Sequence, residues 1–279
     1  MAHPQIAAFA RLANGGAPAT RKIEGQKTLL GRTMHSIAYD EIHDEIVVPT
    51  PFSQSILTFR GAAQGEEPPI RVLQGPLTKL RYPDKVAIDP VHNEIFVPEY
   101  PGAPGAVFVF SREANGDVAP IRVLQGPDAL RTAAYVTVDP VNNLLLVTGI
   151  SAAGDEGVLI FDRTAQGNTK PLRVIRGPRT QLNGGGKIVV YPPRGYFLAT
   201  ARIGGGSGTL GGFDPEAGKS FVGVWSIHDN GDVPPRWMIG GGVLYDIFGG
   251  MTLDPKHKTV IMGDKRSNAI FTYSFPEIF

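Results

Sequence analysis

Lys85, Tyr135 and Lys187 recur at a near-constant interval, each heading a short apolar run that closes in Asp-Pro or Tyr-Pro. Ser36 and Gly250 take the same place in two further copies. One residue earlier stand His35, Asp84, Ala134, Gly186 and Gly249. Two ammonium groups, a phenol, an imidazole and one carboxylate form a set suited to holding an anion. Two ammonium groups confined together repel, and a bound carboxylate would relieve that. Lys85 and Lys187 would act as point charges towards it. The competing expectation is a water-filled channel whose lysines pair with Asp84. Nearby loops would add Glu99 and Arg202, so the expected ligand-binding set is Lys85, Lys187, Tyr135, His35, Asp84, Glu99 and Arg202.

Other chemistries find less support. There are no cysteines, which removes disulfides, zinc–thiolate sites, iron–sulfur clusters and thiol nucleophiles. Asp84, Glu99 and Asp264 could approach one another, but the matching positions elsewhere are Thr50, Thr148 and Ala201, and two lysines nearby oppose a cation. No metal and no cofactor are therefore expected. His43, His92 and His257 fall in turns on the opposite face, and no Ser-His-Asp set follows from spacing. The glycine-rich stretch 201–220 lacks the phosphate-loop pattern and reads as a lid or an insertion. No catalytic residue is named.

These positions depend on a repeat. Pro69-Ile70-Arg71-Val72-Leu73-Gln74-Gly75-Pro76 returns at Pro120–Pro127 and at Pro171–Pro178 (as Pro-Leu-Arg-Val-Ile-Arg-Gly-Pro), with weaker copies near Arg21–Gly25 and Arg236–Gly240. Arg71, Arg122, Arg173 and Arg236 recur with it and are expected to shield an edge strand. Each unit holds four β-branched or aromatic runs, a to d, separated by Asp-Pro and Asn-Gly turns. Runs a start near Ser36, Lys85, Tyr135, Lys187 and Gly250. Runs b start at Glu45, Glu94, Leu144, Tyr196 and Thr259, and runs c near Ile56, Ala106, Val158, Phe221 and Ala269. The a-run column Ile37, Val86, Val136, Ile188, Met251 is uniformly apolar and should lie between units.

Four-stranded units of this length, repeated radially, are β-propeller blades. The expectation is an all-β chain, a single β-propeller domain over 1–279, five-bladed with six as the alternative. Ile6–Arg11 is a sixth c-like run, because Phe9-Ala10-Arg11-Leu12-Ala13-Asn14-Gly15 echoes Phe110-Ser111-Arg112-Glu113-Ala114-Asn115-Gly116. The ring should then close by pairing of the N-terminal strands with the last blade.

Units such as Asp84-Lys85-Val86-Ala87-Ile88-Asp89-Pro90 followed by Glu94-Ile95-Phe96-Val97 resemble NHL-type and YncE-like bacterial propeller repeats, as does the run Gly263–Ile270. The resemblance covers nearly the whole chain and implies a propeller. It implies either a binding scaffold or a lactonase-like hydrolase or lyase with its site at the channel mouth. The scaffold reading, a protein or small anionic ligand held through loops on one face and the channel mouth, leads, because Ser36, Ala134 and Gly249 stand where metal ligands would be needed. A formal net charge of +1 points to no nucleic acid partner, and no run is long enough to insert in a membrane. The protein would be periplasmic or secreted if a signal peptide has been removed, and cytoplasmic otherwise. Oligomeric state is left open.

Overall fold

Short β-branched runs ending in Asp-x-x-(His/Asn) turns fold here as successive antiparallel meanders. The structure, a computed structural model, describes residues 4–99, 104–182, 186–202, 220–240, 250–264 and 267–279, with backbone alone at 202 and 220. β1 (Gln5–Ala8) and β2 (Arg21–Glu24) pair with each other. Then come β3 (Ala38–Asp40), β4 (Glu45–Thr50), β5 (Ser55–Arg60) and β6 (Arg71–Gln74) as one four-stranded sheet. The next is β7 (Ala87–Asp89), β8 (Glu94–Glu99), β9 (Ala106–Ser111) and β10 (Arg122–Leu124). The third is β11 (Leu130–Asp139), β12 (Leu144–Ser151), β13 (Glu156–Asp162) and β14 (Arg173–Arg176). The fourth is β15 (Ile188–Tyr191), β16 (Tyr196–Arg202), β17 (Ser220–Ser226) and β18 (Trp237–Ile239). The fifth has three strands, β19 (Gly250–Asp254), β20 (Thr259–Asp264) and β21 (Ala269–Ser274). Two compact units divide the chain, Met1–Val97 with Val109–Ile121 and Pro98–Phe108 with Arg122–Phe279.

The expected runs a to d are these strands. At the N-terminus β1 and β2 pair with each other, Ile6 opposite Ile23.

Turns between the first two strands are built on an aspartate. Asp40 Oδ1 accepts from the backbone N–H groups of Ile42 and His43, and its Oδ2 lies 2.8 Å from His43 Nδ1. Asp89 with His92 and Asp139 with Asn142 repeat the arrangement, and Asp254 bonds the N–H and ring nitrogen of His257. The histidines are thus bonded members of an Asx turn rather than merely solvated residues.

The repeated Arg-Val-Leu-Gln-Gly segment is the tie between neighbouring sheets. Gly116, in the turn before β10, donates its N–H to Val72 O (2.7 Å) and accepts from Gln74 N–H (3.1 Å). Gly65 does the same with Lys22 and Glu24, Gly167 with Val123 and Gln125, and Gly231 with Val174 and Arg176. The residue after each turn glycine then reaches over the glycine that ends the motif. Asp117, Asn168 and Asp232 accept from the N–H groups of Leu77, Asp128 and Arg179, each at 2.7 Å, and the longer Glu66 takes Gln26 N–H at 2.8 Å. A Cβ on Gly75 would lie 2.4 Å from Asp117 Cγ, and φ there is +136°. Gly25 and Gly177 carry the same constraint against Glu66 and Asp232. Glycine is retained because a neighbour's side chain fills the space of its Cβ.

Arg21, Arg71 and Arg173 belong to this tie as well, which corrects for them the expectation of edge shielding. Arg21 donates to Gly61 O and Ala63 O of the following sheet, and Arg173 Nε to Ile227 O at 2.8 Å. Arg71 and Arg112 share the buried Glu45 carboxylate, and Arg112 Nε also reaches Asn93 Oδ1 at 2.8 Å. The fourth column member is Trp237, not Arg236. Arg236 N–H bonds Val224 O as Ile70 N–H bonds Thr58 O, one residue ahead of Arg71, and its guanidinium pairs with Asp229.

Candidate functional site

In the first unit the heads of the a strands meet. His35 precedes β3, and Asp84 and Lys85 precede β7. His35 Nδ1 lies 2.7 Å from Asp84 Oδ1, and Lys85 Nζ bonds Asp84 Oδ2. Asp84 and Lys85 are buried, while the His35 side chain is 40% exposed. Ser36, of the same column as Lys85, accepts Val86 N–H at 3.4 Å. Burial pushes the Asp84 carboxyl up, but the His35 hydrogen bond and the Lys85 ammonium pull harder, and it rests below the usual carboxylate range.

The second unit brings together its own members of the column. Lys187 Nζ stands over the Tyr135 ring, 5.5 Å from the centroid, a cation–π distance. On the other side, a Cβ on Gly250 would lie 3.9 Å from the same Nζ. Thr148 Oγ1 joins the two strand heads, accepting Tyr135 N–H at 3.2 Å and donating to Gly186 O at 3.0 Å. The column read from sequence is therefore real within each unit: equivalent positions of adjacent sheets face one another.

Of the remaining expected residues, Glu99 is buried at the end of β8. Arg202 ends β16, its backbone opposite Ser220, and its side chain lies outside the described residues, as does 203–219 of the glycine-rich stretch. Asp264 is buried at the end of β20 and accepts Ser267 N–H at 2.8 Å. Among the described residues no three His, Asp or Glu side chains gather to hold a metal ion.

One feature escaped the sequence reading. Phe52, in the turn between β4 and β5, is 69% exposed and meets the Tyr82 ring edge-on, with centroids 6.0 Å apart at 88°. Gln54 Nε2 fastens the same turn to Arg81 O at 3.0 Å. Pro51-Phe52 in a loop of otherwise polar residues was the available signal.

No family model matches this chain, and no curated protein does. Solved structures do match. Hydrazine synthase from Kuenenia stuttgartiensis is similar at 14% identity over 93% of this chain and 68% of that one, with a TM-score of 0.59. A chain of a nidogen/laminin complex matches at 12% identity over 97% of this chain and 85% of that one, TM-score 0.60. The WD40 β-propeller domain of Doa1 matches at 13% identity over 87% and 69%, TM-score 0.50. At such identities the likeness concerns fold alone. The protein is an all-β chain of the β-propeller class, with five antiparallel blades.

Proposed function

We propose that the chain is a non-catalytic binding propeller, one domain over 1–279, that takes a small anionic ligand on the face carrying the b–c and d–a loops. The observation that carries this reading is the bonding of Asp84 between His35 and Lys85. A general base works best with a proton affinity raised towards the operating pH. Asp84 is lowered instead, so it serves as a fixed anchor. What it anchors is a half-exposed imidazole. Tyr82, two residues before Asp84, and Phe52 add an aromatic ledge, and exposed Arg32 and Arg81 give the loops a cationic rim. A carboxylate-bearing ligand fits imidazole, guanidinium and ring edges together. Lys187 over Tyr135 is a second fixed cation of the same column in the other unit. The repeat is read as NHL-type or YncE-like, supported by the four-stranded blades and their Asp-Pro turns.

Calorimetric titration with small carboxylates and with phosphate tests the reading. Binding is expected to weaken as salt rises, since screening acts over about 10 Å at 0.1 M. It should drop at least several-fold in His35→Gln and in Phe52→Ala. Equal heats in wild type and both variants, or none from any anion, would overturn it.

A further inference from the structure

Three Asn-Gly pairs occupy equivalent turns, and one of them is engaged differently from the other two. Asn14-Gly15 lies between β1 and β2, Asn115-Gly116 between β9 and β10, and Asn230-Gly231 between β17 and β18. A fourth pair, Asn183-Gly184, falls outside the described residues. The three turns share one backbone form. Ala13 N–H bonds Ala10 O at 2.8 Å, as Ala114 N–H bonds Ser111 O and Asp229 N–H bonds Ser226 O, both at 3.0 Å. The glycine φ is +59° at Gly15, +76° at Gly116 and +78° at Gly231.

An Asn-Gly pair carries its own nucleophile and electrophile. The glycine nitrogen, once it has lost its proton, can add to the asparagine Cγ, and glycine has no side chain to hinder the approach. At Asn115 and Asn230 both groups are held by a neighbouring strand. Asn115 Oδ1 accepts Val72 N–H at 2.9 Å, while Gly116 N–H is donated to Val72 O at 2.7 Å. Asn230 Oδ1 and Gly231 N–H grip Val174 in the same way, at 2.9 and 2.8 Å. Asn14 Oδ1 instead accepts the N–H of its own Gly15, at 2.8 Å. Its amide and the nitrogen that would attack it face each other.

We infer that Asn14 is a site of spontaneous deamidation, and that Asn115 and Asn230 are protected by their ties to Val72 and Val174. Hydroxide takes the Gly15 N–H proton, and the nitrogen adds to Asn14 Cγ. The Cγ–Nδ2 bond breaks, and ammonia leaves with a proton taken from water, which closes a five-membered succinimide. A second water opens the ring. It gives aspartate when the new Cγ–N bond breaks and isoaspartate when the original peptide bond does. The net change consumes one water and releases one ammonia, with nothing oxidised or reduced. The product places a carboxylate in residues 9–20, where Arg11 is otherwise the one charged side chain. The isoaspartate form also adds a carbon to the main chain of the turn.

Tryptic mapping of the full chain, incubated in warm, mildly alkaline buffer and compared with an unincubated sample, tests this. Peptide 12–21 should exchange the mass of NH for that of oxygen at least about tenfold faster than peptides 113–122 and 220–236, whose asparagines must first break two hydrogen bonds to a neighbouring strand. In concentrated urea the three rates should converge, because the ties are gone. Asn14→Gln should abolish the change in peptide 12–21, since the longer side chain cannot close the five-membered ring. Glutamine suits this turn, as Gln64 and Gln166 precede Gly65 and Gly167 in the same position. A peptide 12–21 of constant mass overturns the inference, as do equal rates at the three sites in the folded chain. A rate ratio that persists in urea also overturns it, because adjacent sequence rather than the strand ties would then set the order.

Discussion

Gly75→Ala is expected to cost about 3 kcal/mol or more, a large part of the stability of an ordinary domain. Two terms contribute. The backbone at Gly75, φ +136° and ψ +169°, lies in a region almost reserved for glycine. The added methyl would also meet Asp117 Cβ at 2.5 Å and Cγ at 2.4 Å, while Asp117 is held in place by Leu77 N–H. In a chain of this size each kcal/mol shifts Tm by roughly 2–4 °C, so a fall of roughly 6–12 °C is expected. Gly65→Ala is the control. It has positive φ, +60°, but open space around its Cβ position, and should cost only about 1 kcal/mol. Asp117→Ala should make Gly75→Ala cheaper, because the steric term disappears while the backbone term stays. Thermal melts of wild type, the three single variants and the Gly75→Ala/Asp117→Ala double variant decide the matter. Equal losses at Gly75 and Gly65, or strict additivity with Asp117→Ala, would show that the motif glycine is a backbone turn alone.

That glycine also shows which parts of the fold the sequence disclosed. The period, the strand order and the a-strand column follow from spacing, since strands repeat locally and their turns are written in Asp, Asn, Gly and Pro. His35 and Asp84 were placed side by side on that basis, and they meet at 2.7 Å. The meaning of Arg-Val-Leu-Gln-Gly was hidden, because its partners Asn115, Gly116 and Asp117 stand about forty residues away in the next blade and only geometry brings them together. Taking Arg236 as a motif arginine was a register error of one. The matching residue is Trp237, and chemical likeness outweighed hydrogen-bond register. The c-like pattern of residues 5–8 did disclose the strand type, and its partner in the structure is β2.

Asp84→Ala should be comparably damaging, by about 3–5 kcal/mol, because it takes from a buried ammonium the carboxylate bonded to it. It also removes the group that orients His35. Lys85→Met in the same chain should return much of the loss, with a coupling energy of about 1–3 kcal/mol, since an apolar side chain of similar length replaces a desolvated charge. The dependence on pH has a definite sign. The folded carboxyl holds its proton less tightly than an unfolded one, so the unfolded chain binds the extra proton in acid. The stability contributed by Asp84 is therefore fully present above the ordinary aspartate value of about 3.9 and is lost as pH falls through the lower folded value. Denaturant unfolding of wild type and Asp84→Ala should show a constant gap above about pH 5 that narrows steadily below about pH 4. A gap that stays level or widens in acid would mean that Asp84 gains nothing from His35 and Lys85 as an ion. In that case both the anchor at the head of β7 and the imidazole it presents would have to be abandoned.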